Sequence, residues 1–169
     1  KLGDAVDGDI PEADVYIALT FDDGPTGKKD GYPNGLTNYL LDGLKQRGAV
    51  ATFLMVGERV SEAAGVLPRM VNEGHELGNH TMNHPMCHLT GLGTDDIRSQ
   101  IDDATNAIKD IAGQAPQVLR PVGGGVNSDV KAVAAELNYP IINWSVDTED
   151  WKYRDADHVK KVIVEELNA

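Results

Sequence analysis

The feature that most constrains this chain is alternation. Apolar, β-branched runs of strand length take turns with segments whose apolar residues recur every three to four positions. "VYIALTF" (15–21), "AVATFLMVG" (49–57), "HELGNHT" (75–81), "QVLRPV" (117–122) and "PIINWSVD" (140–147) read as strands. "LTNYLLDGLKQRG" (36–48) reads as a helix with Leu36, Leu40, Leu41 and Leu44 on one side, and residues 58–74 read as helical with an interruption near Pro68. The clearest helix covers 94–113, where Ile97, Ile101, Ala104, Ile108 and Ile111 form a stripe and Thr94 is the expected N-cap. Ser128 is the expected cap of a helix over 128–138, and an amphipathic helix covers 155–169. Strands alternating with helices imply parallel strands joined by crossovers, the α/β class. Functional groups in such folds gather at the carboxyl edge of the sheet or barrel.

The polar residues at the strand exits are therefore the ones to weigh. The first strand leaves into "TFDDGP", with Asp22 and Asp23 adjacent. The third leaves into "NHTMNHP", with His80 and His84 four apart, which one helical turn would bring to one face. The fourth leaves into "LRPVGGG", carrying Arg120 and Gly123, and the fifth into "SVDTEDW", carrying Asp150 and Trp151. Each has a bland reading of its own: a turn, a surface histidine pair, a surface cation, a flexible loop, a solvated acidic stretch. Together, at one edge, they favour function. A carboxylate and two imidazoles make a three-ligand site with open positions for water and substrate. One of the two aspartates suffices as ligand, which leaves the other as general base towards a metal-bound water whose pKa falls to about 7 in favourable sites. Arg120 suits the role of keeping such a base ionised through a charge-assisted pair. Glycines let backbone N–H groups approach a developing oxyanion. The set suits hydrolysis of an acyl group.

Composition narrows the rest. The 169 residues fit one domain, and a formal net charge of −12 argues against nucleic acid and anionic lipid as partners. No apolar run is long enough to span a bilayer. The one cysteine, Cys87, allows no intrachain disulfide and reads as a buried, inert thiol, and Trp144 reads as core.

"TFDDGP", "HTMNH", "RPVGG" and "DTEDW", in this order, resemble four of the five motifs of the polysaccharide deacetylases, carbohydrate esterase family four. The likeness runs from Val15 to Trp151. It implies a distorted (β/α) barrel, incomplete here with its last strand or strands missing, so that 1–169 form a single catalytic domain lacking its C-terminal part. It implies Asp22 as general base, and Asp23, His80 and His84 as ligands of one divalent metal, zinc first, with cobalt and nickel as alternatives. Arg120 would orient the base, the Gly123 amide would bind the oxyanion, Asp150 would tune the general acid and Trp151 would line the groove. The implied activity is removal of acetyl from N-acetylglucosamine polymers of peptidoglycan or chitin type. An acetylxylan O-deacetylase and a catalytically silent glycan- or metal-binding module are the alternatives. The implied placement is secreted or cell-wall associated, with a polysaccharide as substrate.

Two departures stand out. The family has an aromatic residue where this chain has Gly123. Its fifth motif, Leu-x-His with the general-acid histidine, is not found after Trp151, which raises the expectation of a second chain or fragment completing the barrel. His75, His88 and His158 are poor substitutes: His75 is expected at the wrong edge, and the other two at the surface.

Overall fold

A computed structural model describes residues 16–28, 31–32 and 34–168. They fall into two compact units, the larger holding 18–142 and the smaller holding 16–17 with 143–168.

The larger unit is built on a parallel sheet of order β1-β2-β3-β4, formed by Thr20–Gly24, Thr52–Met55, Glu76–Asn79 and Val118–Leu119. The connections carry α1 (Leu36–Gln46), α2 (Gly57–Val60), α3 (Val66–Asn72) and α4 (Thr94–Ala112), and α5 (Ser128–Glu136) follows β4. This is the α/β fold expected from the alternation, with an unclosed sheet among the described residues. α4 explains much of the packing. Ile97 and Ile101 join Leu89, Leu119, Val130 and Val133 in one apolar cluster, while Ile108 joins Leu41, Phe53, Leu67 and Leu77 in another. One amphipathic stripe thus ties both ends of the sheet together, each fully buried Leu or Ile contributing about 1.5–3 kcal/mol.

Several expectations need correction. β1 is Thr20–Gly24, its pairing with β2 beginning at Thr20 opposite Thr52, whose N–H reaches the Leu19 carbonyl. Tyr16 and Ile17 are exposed, and Val15 lies outside the described residues. The helical region 58–74 breaks at Ala64–Gly65 rather than at Pro68. Pro68 is the third residue of α3, where its missing N–H has no intrahelical partner to lose. Gly93, not Thr94, precedes α4, and Asn127, not Ser128, caps α5 by accepting from Val130 N. No fifth strand forms over 140–147. Only a single bridge joins Ile141 to Leu119, because β4 offers two residues to pair with and Pro140 has no N–H to give.

In the smaller unit, α6 (Asp150–Tyr153) and α7 (Ala156–Leu167) pack together, and the Asp155 side chain caps α7 from Asp157 N and His158 N. Trp144 is exposed rather than core, and His158 is half-buried, its ring stacked on Tyr153 at 3.9 Å rather than solvated.

Candidate metal centre and base

Adjacent residues in a regular strand point to opposite faces, so Asp22 and Asp23 should not reach the same target. A bulge resolves this. Phe21 pairs with Phe53 and Gly24 with Met55, so three steps on β1 match two on β2. Asp23 takes up the extra residue with φ 67°. Both carboxylates then face His80: its Nε2 lies 3.6 Å from Asp23 Oδ1 and 4.0 Å from Asp22 Oδ2.

His80 follows β3 directly, and its N–H bonds to the Met55 carbonyl. Its Nδ1 lies 2.7 Å from the Arg120 carbonyl oxygen, so the proton belongs on Nδ1 and the Nε2 lone pair faces the carboxylates. Burial lowers its pKa below the ordinary value, against the opposing pull of Asp22, the Arg120 carbonyl and Asp23, and favours the neutral ligand form.

His84 is not one helical turn beyond His80. Residues 80–84 form a loop in which Thr81 and His84 both take positive φ, 72° and 53°. Each such non-glycine residue stores roughly 1–3 kcal/mol and needs support. Asn79 accepts from Thr81 N while donating to Ile101 O and Thr105 Oγ1. Thr81 Oγ1 accepts from His84 N, and Gln100 Oε1 accepts from Met82 N and Asn83 N. α4 therefore holds the turn that aims His84, whose Nε2 stands 3.2 Å from Asp23 Oδ1.

One donor atom from each of Asp23, His80 and His84 lies within 4.8 Å of the others. Ligands about 2.0–2.1 Å from a tetrahedral zinc stand roughly 3.3–3.5 Å apart. The separations of 3.2 and 3.6 Å from Asp23 Oδ1 fit that requirement, as does the donor set of two imidazoles and one carboxylate.

Asp22 is held differently. Arg120, 2% exposed, gives Nη1 to Asp22 Oδ1 at 2.7 Å and to Thr20 Oγ1 at 2.9 Å, with Nε 3.4 Å from Ile142 O. One residue thus serves both halves of the site, its side chain the aspartate and its carbonyl the histidine.

The larger unit brings Asp22, Asp23, His80, His84 and Arg120 together as the motifs suggested. Gly123 lies in the turn after Arg120, with φ 64°. A Cβ there would stand 2.7 Å from His88 Cε1, so the exposed His88 ring occupies the space that a side chain at 123 would need. Asp150 and Trp151 belong to the smaller unit, where Trp151 is exposed at the start of α6. Cys87 is exposed, not buried. His75 precedes β3 at its amino end, buried, with Nδ1 accepting from Ala51 N. Sequence reading missed Arg59, whose Nη1 donates to the Asp23 carbonyl, because no motif or spacing marks an arginine 36 residues away as a partner of the bulge.

A parallel sheet with a preformed Asp-His-His donor set at its carboxyl edge, and a second aspartate kept apart from that set by a buried arginine, defines an α/β protein with a candidate mononuclear metal centre and an adjacent base. Comparison with known proteins makes the assignment specific. Residues 9–142 match the profile of the family described as "Polysaccharide deacetylase", and the chain belongs to that family. It is 41% identical over 158 residues to the peptidoglycan-N-acetylglucosamine deacetylase PgdA of Listeria monocytogenes, covering 92% of this chain and 31% of that protein. It is 39% identical over 151 residues to the peptidoglycan-N-acetylmuramic acid deacetylase PdaC of Bacillus subtilis, covering 89% and 29%. Among solved structures, a family 4 carbohydrate esterase from Streptomyces lividans in complex with acetate superimposes with a TM-score of 0.79 at 30% identity, covering 90% of this chain and 74% of that one. The chain thus spans about a third of the length of these two curated relatives. The expectation of a separate second chain finds no support in the comparisons, whose relatives hold the matched region within one longer polypeptide. Among the described residues, no helix is long and apolar enough to cross a membrane.

Proposed function

We propose that this region hydrolyses acetyl groups from N-acetylglucosamine-containing glycan of the peptidoglycan or chitin type, with a divalent metal, zinc first, held by Asp23, His80 and His84. The observation that carries the reading is the division of labour between two adjacent carboxylates. Asp23 joins the imidazoles, while Asp22 is pinned through Oδ1 to Arg120 and keeps Oδ2 towards the same place. A site that only bound metal would not require the second aspartate. When bound, such a metal supplies Lewis acidity, polarising the acetyl carbonyl and making water acidic enough to lose a proton near neutral pH. Asp22 Oδ2 takes that proton as the water oxygen bonds to the acetyl carbon. The Gly123 amide is the proposed donor to the oxyanion, and the positive φ at 123 presents the backbone of that turn. The proton taken up by Asp22 passes to the amide nitrogen as the C–N bond breaks, so that acetate and the sugar amine leave and Asp22 is again a carboxylate. For Asp150 and Trp151 the proposed roles, tuning the acid and lining the groove, rest on the family resemblance alone. Similarity to the two peptidoglycan deacetylases supports this substrate over acetylxylan, and with such a substrate goes the proposal of a secreted or cell-wall associated protein.

The test is acetate release from N-acetylglucosamine oligomers and from peptidoglycan, by the metal-stripped chain before and after zinc is restored. Release should require zinc. Asp22→Asn should lower it by roughly 10²–10⁴-fold, with zinc affinity retained in a separate calorimetric titration. Turnover that survives chelation or Asp22→Asn overturns the reading, and faster release from acetylxylan transfers it to the ester substrate.

A further inference from the structure

Beside the aspartates lies a cavity of about 410 Å³ walled by Pro25, Thr26, Gly27, Lys28, Arg59 and Glu62. It starts two residues past Asp23, and the Arg59 guanidinium reaches back from it to the Asp23 carbonyl. The backbone of the wall is fixed, while the Lys28, Arg59 and Glu62 side chains are exposed to solvent. Thr26 N donates to Thr37 Oγ1 at 2.8 Å, and Gly27 packs on the Glu62 backbone, where a Cβ would stand 3.2 Å from the Glu62 oxygen. Gly35, at φ 88°, allows the start of α1 to approach so closely that a Cβ there would stand 2.6 Å from the Thr26 carbonyl.

Two cations and one carboxylate line this cavity, in a chain of net charge −12. Among the described residues, neither Lys28 nor Arg59 forms an ion pair, and the one bond of Arg59, to the Asp23 carbonyl, leaves most of its N–H groups available. Uncommitted cations around a built cavity are what an oxyanion requires, and a guanidinium fork matches a carboxylate. The acidic surface repels anionic substrates at long range, but salt at physiological strength screens that repulsion beyond about 8 Å, so a local cationic pair can dominate at contact. A neutral glycan can accept hydrogen bonds from such a pair through its hydroxyls, but only an anionic one gains a charge-assisted pair as well.

We propose that this cavity is a subsite for a carboxylate-bearing substituent next to the acetylated sugar, so that the site selects an anionic, peptidoglycan-type glycan over a neutral, chitin-type one. The inference rests on the deacetylase reading and deepens it.

The experiment compares two ligands identical except for charge. One is a glycan of alternating N-acetylglucosamine and N-acetylmuramic acid with its lactyl carboxylates free, and the other is the same glycan with those carboxylates converted to amides. Affinity for the chain, with zinc added, is measured by calorimetry. The acid should bind about tenfold more tightly than the amide, and the ratio should shrink as salt is raised. Lys28→Gln and Arg59→Gln should each bring the ratio towards one. Arg59→Lys, which keeps a cation beside the aspartate bulge, should retain more of it, and this separates charge from any disturbance of Asp23. A wild-type ratio of one, or a ratio unchanged in both glutamine variants, overturns the subsite and leaves the deacetylase reading standing. Failure of the wild-type chain to bind either ligand overturns both.

Discussion

Arg120→Met is the most informative single perturbation, because it removes the guanidinium while leaving the carbonyl that orients His80. Methionine fills much of the buried volume with a flexible apolar stem. The variant loses the bonds to Asp22 at 2.7 Å and Thr20 at 2.9 Å, and the weaker one to Ile142 at 3.4 Å. Removing one partner of a fully buried pair costs roughly 3–5 kcal/mol. Here the Arg120 side chain is 3% exposed but that of Asp22 is 32% exposed, so water reaches the orphaned carboxylate. That access reduces the expected loss to about 2–3 kcal/mol. Urea unfolding of the metal-free protein reads it as a shift in midpoint at constant slope. Zinc affinity should stay within about threefold, because the His80 tautomer is set by a main-chain oxygen. Acetate release should fall by roughly 10²-fold or more as the base loses its orientation. Should the variant not fold, Asp22→Asn/Arg120→Met removes the stranded charge and should recover part of the stability, the two changes being less than additive. A loss under about 1 kcal/mol would refute the buried-pair argument. A large fall in zinc affinity would show that the side chain supports the ligands rather than the base.

Two further outcomes follow from the same geometry. His75 has its pKa lowered, first by burial and then by Arg69 against the opposing pull of Glu73, and its neutral Nδ1 accepts from Ala51 N. The unfolded chain therefore binds the proton first, so the stability His75 contributes is present above about pH 6.5 and is lost as pH falls towards its folded value. The stability difference between wild type and His75→Asn, which keeps an acceptor for Ala51, should narrow between pH 7.5 and 5, and a constant difference would contradict this. Gly123→Ala forces a side chain into φ 64° and against the His88 ring. It should cost about 1–2 kcal/mol of stability and shift the His88 ring signals in NMR spectra. Unchanged signals would show that the ring does not sit over Gly123.

The α/β class and the identity of the clustered residues were legible because burial writes periodicity into the sequence, and because metal chemistry demands particular side chains. The geometry that joins them was not. Asp22-Asp23 shows two carboxylates, but only pairing to Phe53 and Met55 reveals the bulge that turns both one way. The four-residue spacing of His80 and His84 suggests a helical turn, yet a loop delivers the same convergence through positive φ at Thr81 and His84. That conformation depends on Gln100, which lies on another element. The expected fifth strand failed for a related reason. A run such as "PIINW" has the composition of a strand, but a ladder also needs a neighbour, and β4 is two residues long. Cys87 and Trp144 were misplaced because an average tendency to be buried says nothing about a particular loop.

The two halves of the site rest on separate supports. The turn bearing His84 is held by Asn79 and Gln100 against α4, through bonds that do not involve Asp22. Asp22 is held by the Arg120 side chain, through bonds that do not involve that turn. The halves meet at the Arg120 backbone, through the carbonyl that His80 uses, and in the bulge that Asp22 and Asp23 share. Side-chain substitutions should therefore separate metal affinity from turnover. Changes at Gln100 loosen a strained ligand-bearing turn and should weaken zinc binding, whereas changes to the Arg120 side chain disorient the base and should spare it. A perturbation of the Arg120 main chain, or of the bulge itself, where Arg59 grips the Asp23 carbonyl, reaches both functions at once. That places the cationic cavity where an occupant could be felt by the metal ligand and the base together.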